Sequence, residues 1–471
     1  MEFKSVINGK KIDNKQWLEI INPTSLQVAG RVTALDAQNI EEAFKAARNS
    51  QEKWENTKLL DRIEILRKFR NLIEKNSDKI AEIMMLEIAK GFNESKTEVI
   101  RTLELIDYTF EESKRLNPLA LTGEELGAEN KIGIFSRVAK GVVLAISPFN
   151  YPVNLALAKI FPALVSGNSV VFKPATAGSL VGAFLGELSI EAKLPNGIFN
   201  VVTGRGREIG DLISTNKEID FISFTGSVGV GNHLKEIAST KDMVLELGGK
   251  DPAIILDDEN IEFYANEIIT GAFGYSGQRC TAIKRVLTTD KVADQLIPFL
   301  LKKVENLSVG EPKDNPNITP MIDEKAALFV KGLIDDAVDK KALILHGGNL
   351  VKNRLEPTLV DNVSTSMRLA WEEPFGPVLP IIRLKNNEEI IKVANESDFG
   401  LQASIFTKDI NSAIKIAKRL KCGTVNINGK SQRGPDSFPF SGIKDSGMGV
   451  QGVREALLSM TRYKGIVLNY N

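Results

Sequence analysis

Short apolar runs alternate with helical patterns between residues 141 and 239, and this alternation constrains the fold more than any other feature. The strand candidates lie at 141–148, 169–174, 198–204 and 221–227. The helical patterns follow them at 152–167, 179–193, 206–214 and 230–239. Strands that alternate with helices predict a parallel sheet covered by helices on both faces. Sheets of this kind bind ligands at the carboxyl ends of their strands.

A second alternating series runs from about residue 247 to residue 440. Its strand candidates are AIILDD, RVLTTD, VLPIIRL, ASIFTKD and TVNIN. A chain of 471 residues is too long for one hydrophobic core. The two series therefore predict two doubly wound α/β domains with a cleft between them. Residues 37–117 read as helical, and two further strand candidates, 131–141 and 464–471, have no obvious partner nearby.

The charge balance excludes some classes of function. Lys and Arg together number 60, as do Asp and Glu, so the formal net charge is zero. This predicts neither a nucleic-acid partner nor binding to an anionic membrane. The first residues, MEFKSVINGKKIDNK, lack the apolar stretch of a secretory signal. No apolar run reaches the roughly 20 residues that span a bilayer, so we expect a cytoplasmic protein whose two cysteines are reduced.

Two glycine-rich loops lie between a strand and a helix. The first, 203-TGRGREIG-210, contains Gly206 and narrowly misses the dinucleotide fingerprint. In the second, 224-FTGSVGVG-231, Ser227 could cap a helix and leave its first amides free to face an anion. A plain turn explains each loop about as well, but two such loops in one array favour a dinucleotide site. Lys173 ends a strand at the same edge, where the alternative is an ordinary solvated lysine.

Cys280 is one of only two cysteines, and its surroundings distinguish it from Cys422. A cysteine is a good nucleophile once it is deprotonated, and the neighbouring cation of Arg279 should favour the thiolate. Buried cysteines are more often inert packing residues, and we interpret Cys422 in that way. The small residues Gly274 and Gly277 just before Cys280 would add nothing to a packed core, so a nucleophile is the better interpretation.

A carboxylate is the expected base, because the only histidines, His233 and His346, lie far from Cys280 in the sequence. Glu246 interrupts the apolar run 243-MVLELGGK-250. It is either a surface residue at a strand edge or a partly buried carboxyl whose pKa is raised enough to act as a base. The residues alone leave both interpretations open.

Seven motifs together indicate a known family. They are 146-ISPFNYP-152, 169-SVVFKPA-175, 224-FTGS-227, 245-LELGGK-250, 277-GQRC-280, 372-EEPFGP-377 and 438-FPFSG-442. With these motifs in this order, the chain resembles the aldehyde dehydrogenase superfamily over essentially its whole length. Within that superfamily, 271-GAFGYSGQRCTAIKRVL-287 and 369-LAWEEPFGPVLPIIR-383 are similar to the non-phosphorylating, NADP-dependent glyceraldehyde-3-phosphate dehydrogenases.

The resemblance implies an aldehyde dehydrogenase-like α/β fold with two domains and a small β arm. Residues 1–123 and 142–246 would form the Rossmann-like cofactor domain, and residues 247–440 the catalytic domain. Residues 124–141 and 441–471 would form an oligomerisation segment that joins sheets across the subunits of a homotetramer.

The resemblance also implies roles for individual residues. Cys280 would be the nucleophile and Glu246 the general base of deacylation, while Asn150 and the Cys280 amide would form the oxyanion hole. Glu373 would hold the nicotinamide ribose, and Phe375 would lie near the ring. The other implied cofactor contacts are Lys173, Thr176, Gly206, Phe224, Thr225, Gly226, Ser227 and Gly248. The implied substrate contacts are Arg101, Tyr151, Arg279, Thr281 and Arg433. No metal site is predicted.

Thr176 bears on the choice of cofactor. Relatives that use NAD commonly carry a glutamate at this position, which would repel a 2′-phosphate, whereas a threonine can donate a hydrogen bond to one. We therefore expect NADP, with some use of NAD. The predicted reaction is the irreversible, phosphate-independent oxidation of glyceraldehyde 3-phosphate to 3-phosphoglycerate through a thioester on Cys280.

Two alternatives stay open at this stage. One is an NAD(P)-dependent dehydrogenase of another small aldehyde, such as a semialdehyde or lactaldehyde. The more distant one is a non-redox cysteine thioester hydrolase, which would leave the two glycine-rich loops and the EEPFGP motif without a role.

Overall fold

The computed structural model describes residues 1–124 and 127–470. Its N-terminal part is made of short strands, to which the sequence analysis assigned no structure. They are β1 (Glu2–Phe3), β2 (Val6–Ile7), β3 (Lys10–Lys11), β4 (Trp17–Ile21) and β5 (Val28–Thr33). Strands β1, β5 and β4 form a small sheet of their own, whereas β2 and β3 extend one edge of a larger sheet.

The predicted helical region 37–117 is confirmed. It contains α1 (Ala37–Glu55), α2 (Leu59–Lys75), α3 (Ser77–Ile88) and α4 (Phe92–Ser113). The buried residues of α1 recur every three or four positions, as in Ile40, Phe44 and Ala47, so one face packs on the core. Two strands follow the helices, β6 (Leu119–Gly123) and β7 (Ala128–Ala139).

The first strand–helix series forms the predicted parallel sheet. Its elements are β8 (Val142–Ile146), α5 (Asn154–Val165), β9 (Ser169–Lys173), α6 (Ser179–Glu191), β10 (Phe199–Val201), α7 (Gly206–Ser214), β11 (Phe221–Thr225), α8 (Val228–Ile237) and β12 (Asp242–Glu246). The strands lie in the order β12-β11-β8-β9-β10 and are parallel to one another. Lys173, Thr225 and Glu246 are the last residues of three of these strands. Because the strands are parallel, the three residues lie together at the carboxyl end of the sheet.

The second series forms another, mainly parallel sheet. Its elements are β13 (Pro252–Ile255), α9 (Ile261–Phe273), β14 (Arg285–Thr289), α10 (Asp290–Glu305), α11 (Glu324–Asp339), β15 (Leu343–His346), β16 (Leu350–Val351), β17 (Arg354–Leu355), β18 (Thr358–Asp361), β19 (Val378–Leu384), α12 (Asn387–Glu396), β20 (Phe399–Gly400), β21 (Gln402–Phe406), α13 (Ile410–Ala417) and β22 (Thr424–Ile427). The strand order is β15-β18-β19-β14-β13-β21-β22, in which only the edge strand β15 runs antiparallel to its neighbour. The predicted pair of α/β sheets is therefore present.

The C-terminal part departs from the predicted arm, 124–141 and 441–471. Its elements are β23 (Ile443–Lys444), β24 (Gly447–Met448), α14 (Val453–Ser459) and β25 (Thr461–Asn469). Strand β23 pairs with β20, β24 pairs with β12, and α14 packs on α4 and α5. Only β25 joins the arm, so the boundary at 441 was too early. The physical reason is that the open edge of β12 is covered by β24, as exposed edges usually are.

The arm itself is a three-stranded sheet in the order β25-β7-β6. It includes β6, which the sequence analysis placed in the cofactor domain. Strands β25 and β7 run antiparallel from the pair Thr461 and Ala139 to the pair Asn469 and Lys131, so the two strands that lacked a partner in sequence pair with each other. Residues 125, 126 and 471 of the predicted arm lie outside the described residues. Within residues 1–124 and 127–470, no helix combines the length and apolarity needed to cross a bilayer.

One face of the arm carries apolar side chains that this chain leaves open. Ile466 lies directly opposite Ile134, and Leu468 is two residues further along the same face. Ile466 is 60% exposed and Leu468 is 51% exposed. An apolar face of this kind is typical of a surface covered by another subunit.

We expect another subunit to cover this face, so changing both Ile466 and Leu468 to Lys should reduce the mass of the protein in solution, because an interface would have to bury two unpaired charges. Sedimentation velocity measures the mass, and circular dichroism checks that the subunit stays folded. Lys464→Gln, on the same face of the same strand, is the control and should leave the mass unchanged. If the double variant keeps the wild-type mass, the arm does not hold the subunits together.

Candidate active site

The segment that carries Cys280 begins with an unusual turn after α9. Tyr275 and Ser276 have φ values of 48° and 52°, and Gly277 has a φ of 71°, so three successive residues are left-handed. The first two are strained conformations for residues with a side chain, and they persist because both side chains are hydrogen bonded in the interior. At Gly277 a Cβ would lie 2.2 Å from the carbonyl oxygen of Gly376, so only glycine fits.

Cys280 and Glu246 face each other at the end of β12. The thiol Sγ lies 3.7 Å from Glu246 Oε1 and donates to it. Burial raises the pKa of the Cys280 thiol, and Glu246 raises it further, while the Lys284 ammonium acts in the opposite direction. We expected the Arg279 cation to favour the thiolate; in the structure the Arg279 guanidinium donates to the carbonyl of Gly271 in α9, and Lys284 is a cation that favours the thiolate. Glu246 is therefore placed to accept the thiol proton.

The Glu246 side chain is 3% exposed, so it is not the surface residue of the first interpretation. Its Oε2 accepts a hydrogen bond from Thr225 Oγ1 at 3.2 Å and forms an ion pair with Arg433 Nη1 at 2.8 Å. Thr225 is its neighbour in the sheet and also accepts from Lys159 Nζ at 2.7 Å. Burial lowers the pKa of Lys159 to about 7. A carboxylate, a guanidinium, a lysine amine and a hydroxyl thus share one largely buried network.

Asn150 lies in the turn between β8 and α5, and its side chain points at the nucleophile segment. Its Nδ2 donates to the carbonyl oxygen of Gln278 at 2.9 Å, two residues before Cys280. The next residue, Tyr151, has the Lys90 ammonium 3.6 Å from the centre of its ring. The structure therefore brings Asn150 to the segment that carries Cys280.

The predicted cofactor residues line the carboxyl edge of the first sheet. Phe224 and Thr225 end β11 and are followed by Gly226, while Gly206 begins α7. Thr176 begins a short 3-10 turn just after β9. Ser227 caps α8, its Oγ accepting from Val230 N at 3.4 Å, which confirms the predicted cap. Burial lowers the pKa of Lys173 to about 8.

Glu373 lies in the loop before β19 of the second sheet, and its side chain reaches the end of β12. Its Oε1 accepts from Gly249 N at 3.0 Å and pairs with Lys284 Nζ at 3.0 Å. At Gly248 a Cβ would lie 2.2 Å from the other oxygen, Oε2, so the glycine leaves room beside that oxygen. Phe375 packs edge-on against Phe149 with ring centres 5.9 Å apart. A helix N-terminus, a buried lysine and a carboxylate with space beside it suit a ribose and phosphates, so these residues fit a dinucleotide.

The predicted substrate arginines are only partly brought together. Arg101 donates to both carboxylate oxygens of Asp436, at 2.9 and 3.0 Å, and to the Arg433 carbonyl at 2.7 Å. Arg433 itself turns to Glu246, whereas Arg279 is bonded to α9. Thr281 is buried, and its carbonyl accepts from Ser431 Oγ at 2.9 Å. The hydrogen bonds join Arg101 to the Arg433 segment and leave Arg279 on a different element.

Sequence reasoning missed three buried lysines of this region, Lys90, Lys159 and Lys284, each about 2% exposed. A signal was present for Lys159, a cation within the apolar run 154-NLALAKIFPALV-165. No comparable signal marks Lys90. Cys422 donates its thiol to Thr424 O at 3.5 Å, and both cysteines are free.

Comparison with known proteins agrees with this geometry over the whole chain. The profile of the aldehyde dehydrogenase family matches residues 10–466. The chain is 47% identical over 470 residues to an NADP-dependent glyceraldehyde-3-phosphate dehydrogenase of Streptococcus equinus, covering 99% of each. It is 35% identical to a lactaldehyde dehydrogenase of Methanococcus maripaludis, covering 98% of this chain and 99% of that protein.

A solved structure is equally similar. The NADP-dependent glyceraldehyde-3-phosphate dehydrogenase of Bacillus halodurans C-125, complexed with NADP, superposes with a TM-score of 0.98 at 49% identity and covers 100% of both chains. Similarity of this extent, in sequence and in structure, shows that the chain belongs to the aldehyde dehydrogenase family.

Proposed function

We propose that this protein is an NADP-dependent, non-phosphorylating glyceraldehyde-3-phosphate dehydrogenase that forms 3-phosphoglycerate. The observation that carries the proposal is the pair of Cys280, which is partly buried, and Glu246, which is buried, joined at 3.7 Å where β12 of the first sheet meets the segment after α9. The names and high identities of the relatives support the same activity.

Acylation begins at Cys280. Glu246 removes the thiol proton, and the thiolate attacks the aldehyde carbon to form a C–S bond. The oxyanion that results receives hydrogen bonds from Asn150 Nδ2 and from the Cys280 amide. Donors fixed in advance stabilise such a charge strongly, because they need no reorganisation during the reaction.

The cofactor residues hold NADP at the carboxyl edge of the first sheet. When bound, NADP accepts the hydride that leaves the substrate carbon, and a thioester stays on Cys280. Lys173 and Thr176 would bind the adenosine ribose and its 2′-phosphate. Ser227 caps α8, whose N-terminal amides would face a phosphate. Glu373, anchored through Oε1 by Lys284, binds the nicotinamide ribose.

Deacylation depends on Glu246 a second time. Glu246 first passes the proton taken from Cys280 to solvent. Its carboxylate then removes a proton from a water molecule that attacks the thioester carbon, and Cys280 leaves as the thiolate. Arg433 forms an ion pair with Glu246 Oε2 at 2.8 Å before the substrate binds. Removing either residue alone would leave the other charge without this partner.

The phosphate of the substrate requires several donors. We propose Tyr151, Thr281 and the arginines 101, 279 and 433 for this role. Arg433 would also have to exchange its contact with Glu246. Lactaldehyde is the competing substrate, because one relative at 35% identity carries that name. It has no phosphate, so the arginines separate the two possibilities.

We also propose the assembly and the location. The exposed apolar face of the arm supports a homotetramer. The two free cysteines support a cytoplasmic protein. The two α/β sheets would be the cofactor and catalytic domains of the sequence analysis.

Thr176→Glu tests the choice of cofactor. A carboxylate about 4 Å from a 2′-phosphate repels it by about 1–4 kcal/mol for each pair of unit charges. We expect kcat/KM with NADP to fall at least about tenfold more than kcat/KM with NAD. Thr176→Gln is the control for size and should not change the ratio. Equal losses with both cofactors would place Thr176 away from the 2′ position.

Glu246→Gln tests the two chemical halves. General-base assistance is typically worth about 10²–10⁴ in rate, so steady turnover should fall by that order. The first turnover should still reduce cofactor, more slowly than in the wild type because the thiol has lost its acceptor. Rapid mixing should show a burst of about one NADPH per active subunit and then a slow phase. Cys280→Ser should show neither phase, and full steady turnover in Glu246→Gln would remove Glu246 from the mechanism.

Arg279→Met tests whether the substrate is phosphorylated. A change at Arg433 would be harder to interpret, because it would also remove the ion pair with Glu246. Loss of one charged hydrogen bond to phosphate costs about 1.5–3 kcal/mol. KM for glyceraldehyde 3-phosphate should therefore rise about ten- to a hundredfold. The control is unphosphorylated glyceraldehyde, for which kcat/KM should barely change. Equal losses on both aldehydes would mean that Arg279 has a structural role only.

A further inference from the structure

We propose that the buried ion pair of Lys90 and Glu98 positions the oxyanion hole, by fixing Asn150 against the segment that carries Cys280. Neither residue touches the reacting atoms, so both are positioning residues. The inference rests on the proposed roles of Asn150 and Cys280.

Glu98 binds the end of the turn that contains Asn150, where α5 begins. Its Oε1 accepts from Val153 N at 3.0 Å and from Asn154 N at 2.9 Å. Its Oε2 accepts from Lys90 Nζ at 2.6 Å. The two amides belong to the start of α5, where a carboxylate is favourable because the first amides of a helix have no partner within it. One carboxylate therefore ties the end of the turn to the lysine.

Lys90 holds the other end of the same turn. Its Nζ donates to the backbone carbonyl of Asn150 at 3.1 Å. The ammonium also lies between two aromatic rings, 3.6 Å from the centre of Tyr151 and 4.9 Å from the centre of Tyr275. A desolvated cation against aromatic faces is attracted to both. The backbone of Asn150 thus has little freedom to shift or rotate.

The nucleophile segment is anchored on the same stretch of chain. The Tyr275 hydroxyl donates to the carbonyl of Ile88 at 2.8 Å, two residues before Lys90. The Asn150 side chain closes the loop by donating to Gln278 O at 2.9 Å. Residues 88–98 therefore set the position of both Asn150 and the turn that leads to Cys280. Asn150 and Cys280 must be aligned with each other for the oxyanion to be stabilised.

A purely structural ion pair is the alternative. Buried ion pairs often contribute little stability compared with apolar residues of the same size, so stability alone does not explain this one. The contacts point to a role in the site, because the lysine bonds to the backbone of Asn150 and packs against Tyr151 and Tyr275. A shift of about 1 Å in an aligned group can cost about a hundredfold in rate.

The test replaces both members of the pair, Lys90→Met with Glu98→Gln, so that no single charge is left buried. The glutamine oxygen can keep the two amides of α5, and the methionine can fill the space between the rings. The bond to Asn150 O is lost. Rapid mixing with NADP and glyceraldehyde 3-phosphate should show an NADPH burst slowed about ten- to a hundredfold. The dissociation constant of NADP, from fluorescence titration, should not change.

A double-mutant cycle with Asn150→Ala separates positioning from general damage. If the pair acts through Asn150, adding its replacement to Asn150→Ala should slow the burst little further. Equal slowing in both backgrounds, or no slowing in either, would overturn the inference. A wild-type protein that reduces no NADP in the presence of glyceraldehyde 3-phosphate would instead refute the proposed function.

Glu98→Gln alone serves if the double variant does not fold. Its amide would face the Lys90 ammonium, donor against donor, so the lysine should move and the burst should slow in the same Asn150-dependent way. Glu112→Gln is the matched control, since Glu112 is a buried carboxylate on the same helix that pairs with Arg454 and Arg115. If this control slows the burst as much as Glu98→Gln does, the effect belongs to the helix and the inference fails.

Discussion

The buried carboxylate of Glu246 needs donors on every side, and the active site is built from the segments that supply them. Thr225 comes from the neighbouring strand of the first sheet, Arg433 from the chain after the second sheet, and the Cys280 thiol from the turn after α9. An ionised carboxylate without partners would cost several kcal/mol in such a position. Satisfying one charge therefore fixes three distant parts of the chain relative to one another.

The same principle governs the lysines around the site. Lys284 pairs with Glu373 and donates to the Cys280 carbonyl, so it links Cys280 to the residue proposed to hold the ribose. Lys159 bonds to Thr225, the neighbour of Glu246. Both lysines are shielded from water, in surroundings where electrostatic interactions are stronger and leave less freedom of geometry. The defined partners of Lys159 and Lys284 therefore restrict how the segments around Cys280 and Glu246 can move.

Much of the fold was predictable from sequence because its signals are local. Apolar strands between amphipathic helices gave both sheets, and the cap at Ser227 follows from one residue type in one position. The site was predictable only where motifs mark it. The hydrogen-bond partner of Arg279 was not, because the carbonyl of Gly271 that accepts from it lies in α9, and the sequence around Cys280 does not indicate that contact. Lys90 and Glu98 lie 60 and 55 residues from the groups they bond, and no local pattern reports such a contact. The arm boundary was missed for the same reason, since a two-residue strand at 447 is defined only by its partner.

The pairing of β24 with β12 determines which part of this protein can fold last during synthesis. Glu246 pairs with Gly447 across these strands, 201 residues later in the chain. When the first 440 residues have emerged from the ribosome, all strands of both α/β sheets except β24 have been made. The strand β12, which ends in Glu246, still has an open edge at that stage. The N-terminal region can fold early, as domains generally do during synthesis. Glu246, however, is enclosed only when β24, near the C-terminal end of the chain, has paired with β12, so the candidate site is among the final parts of the molecule to form.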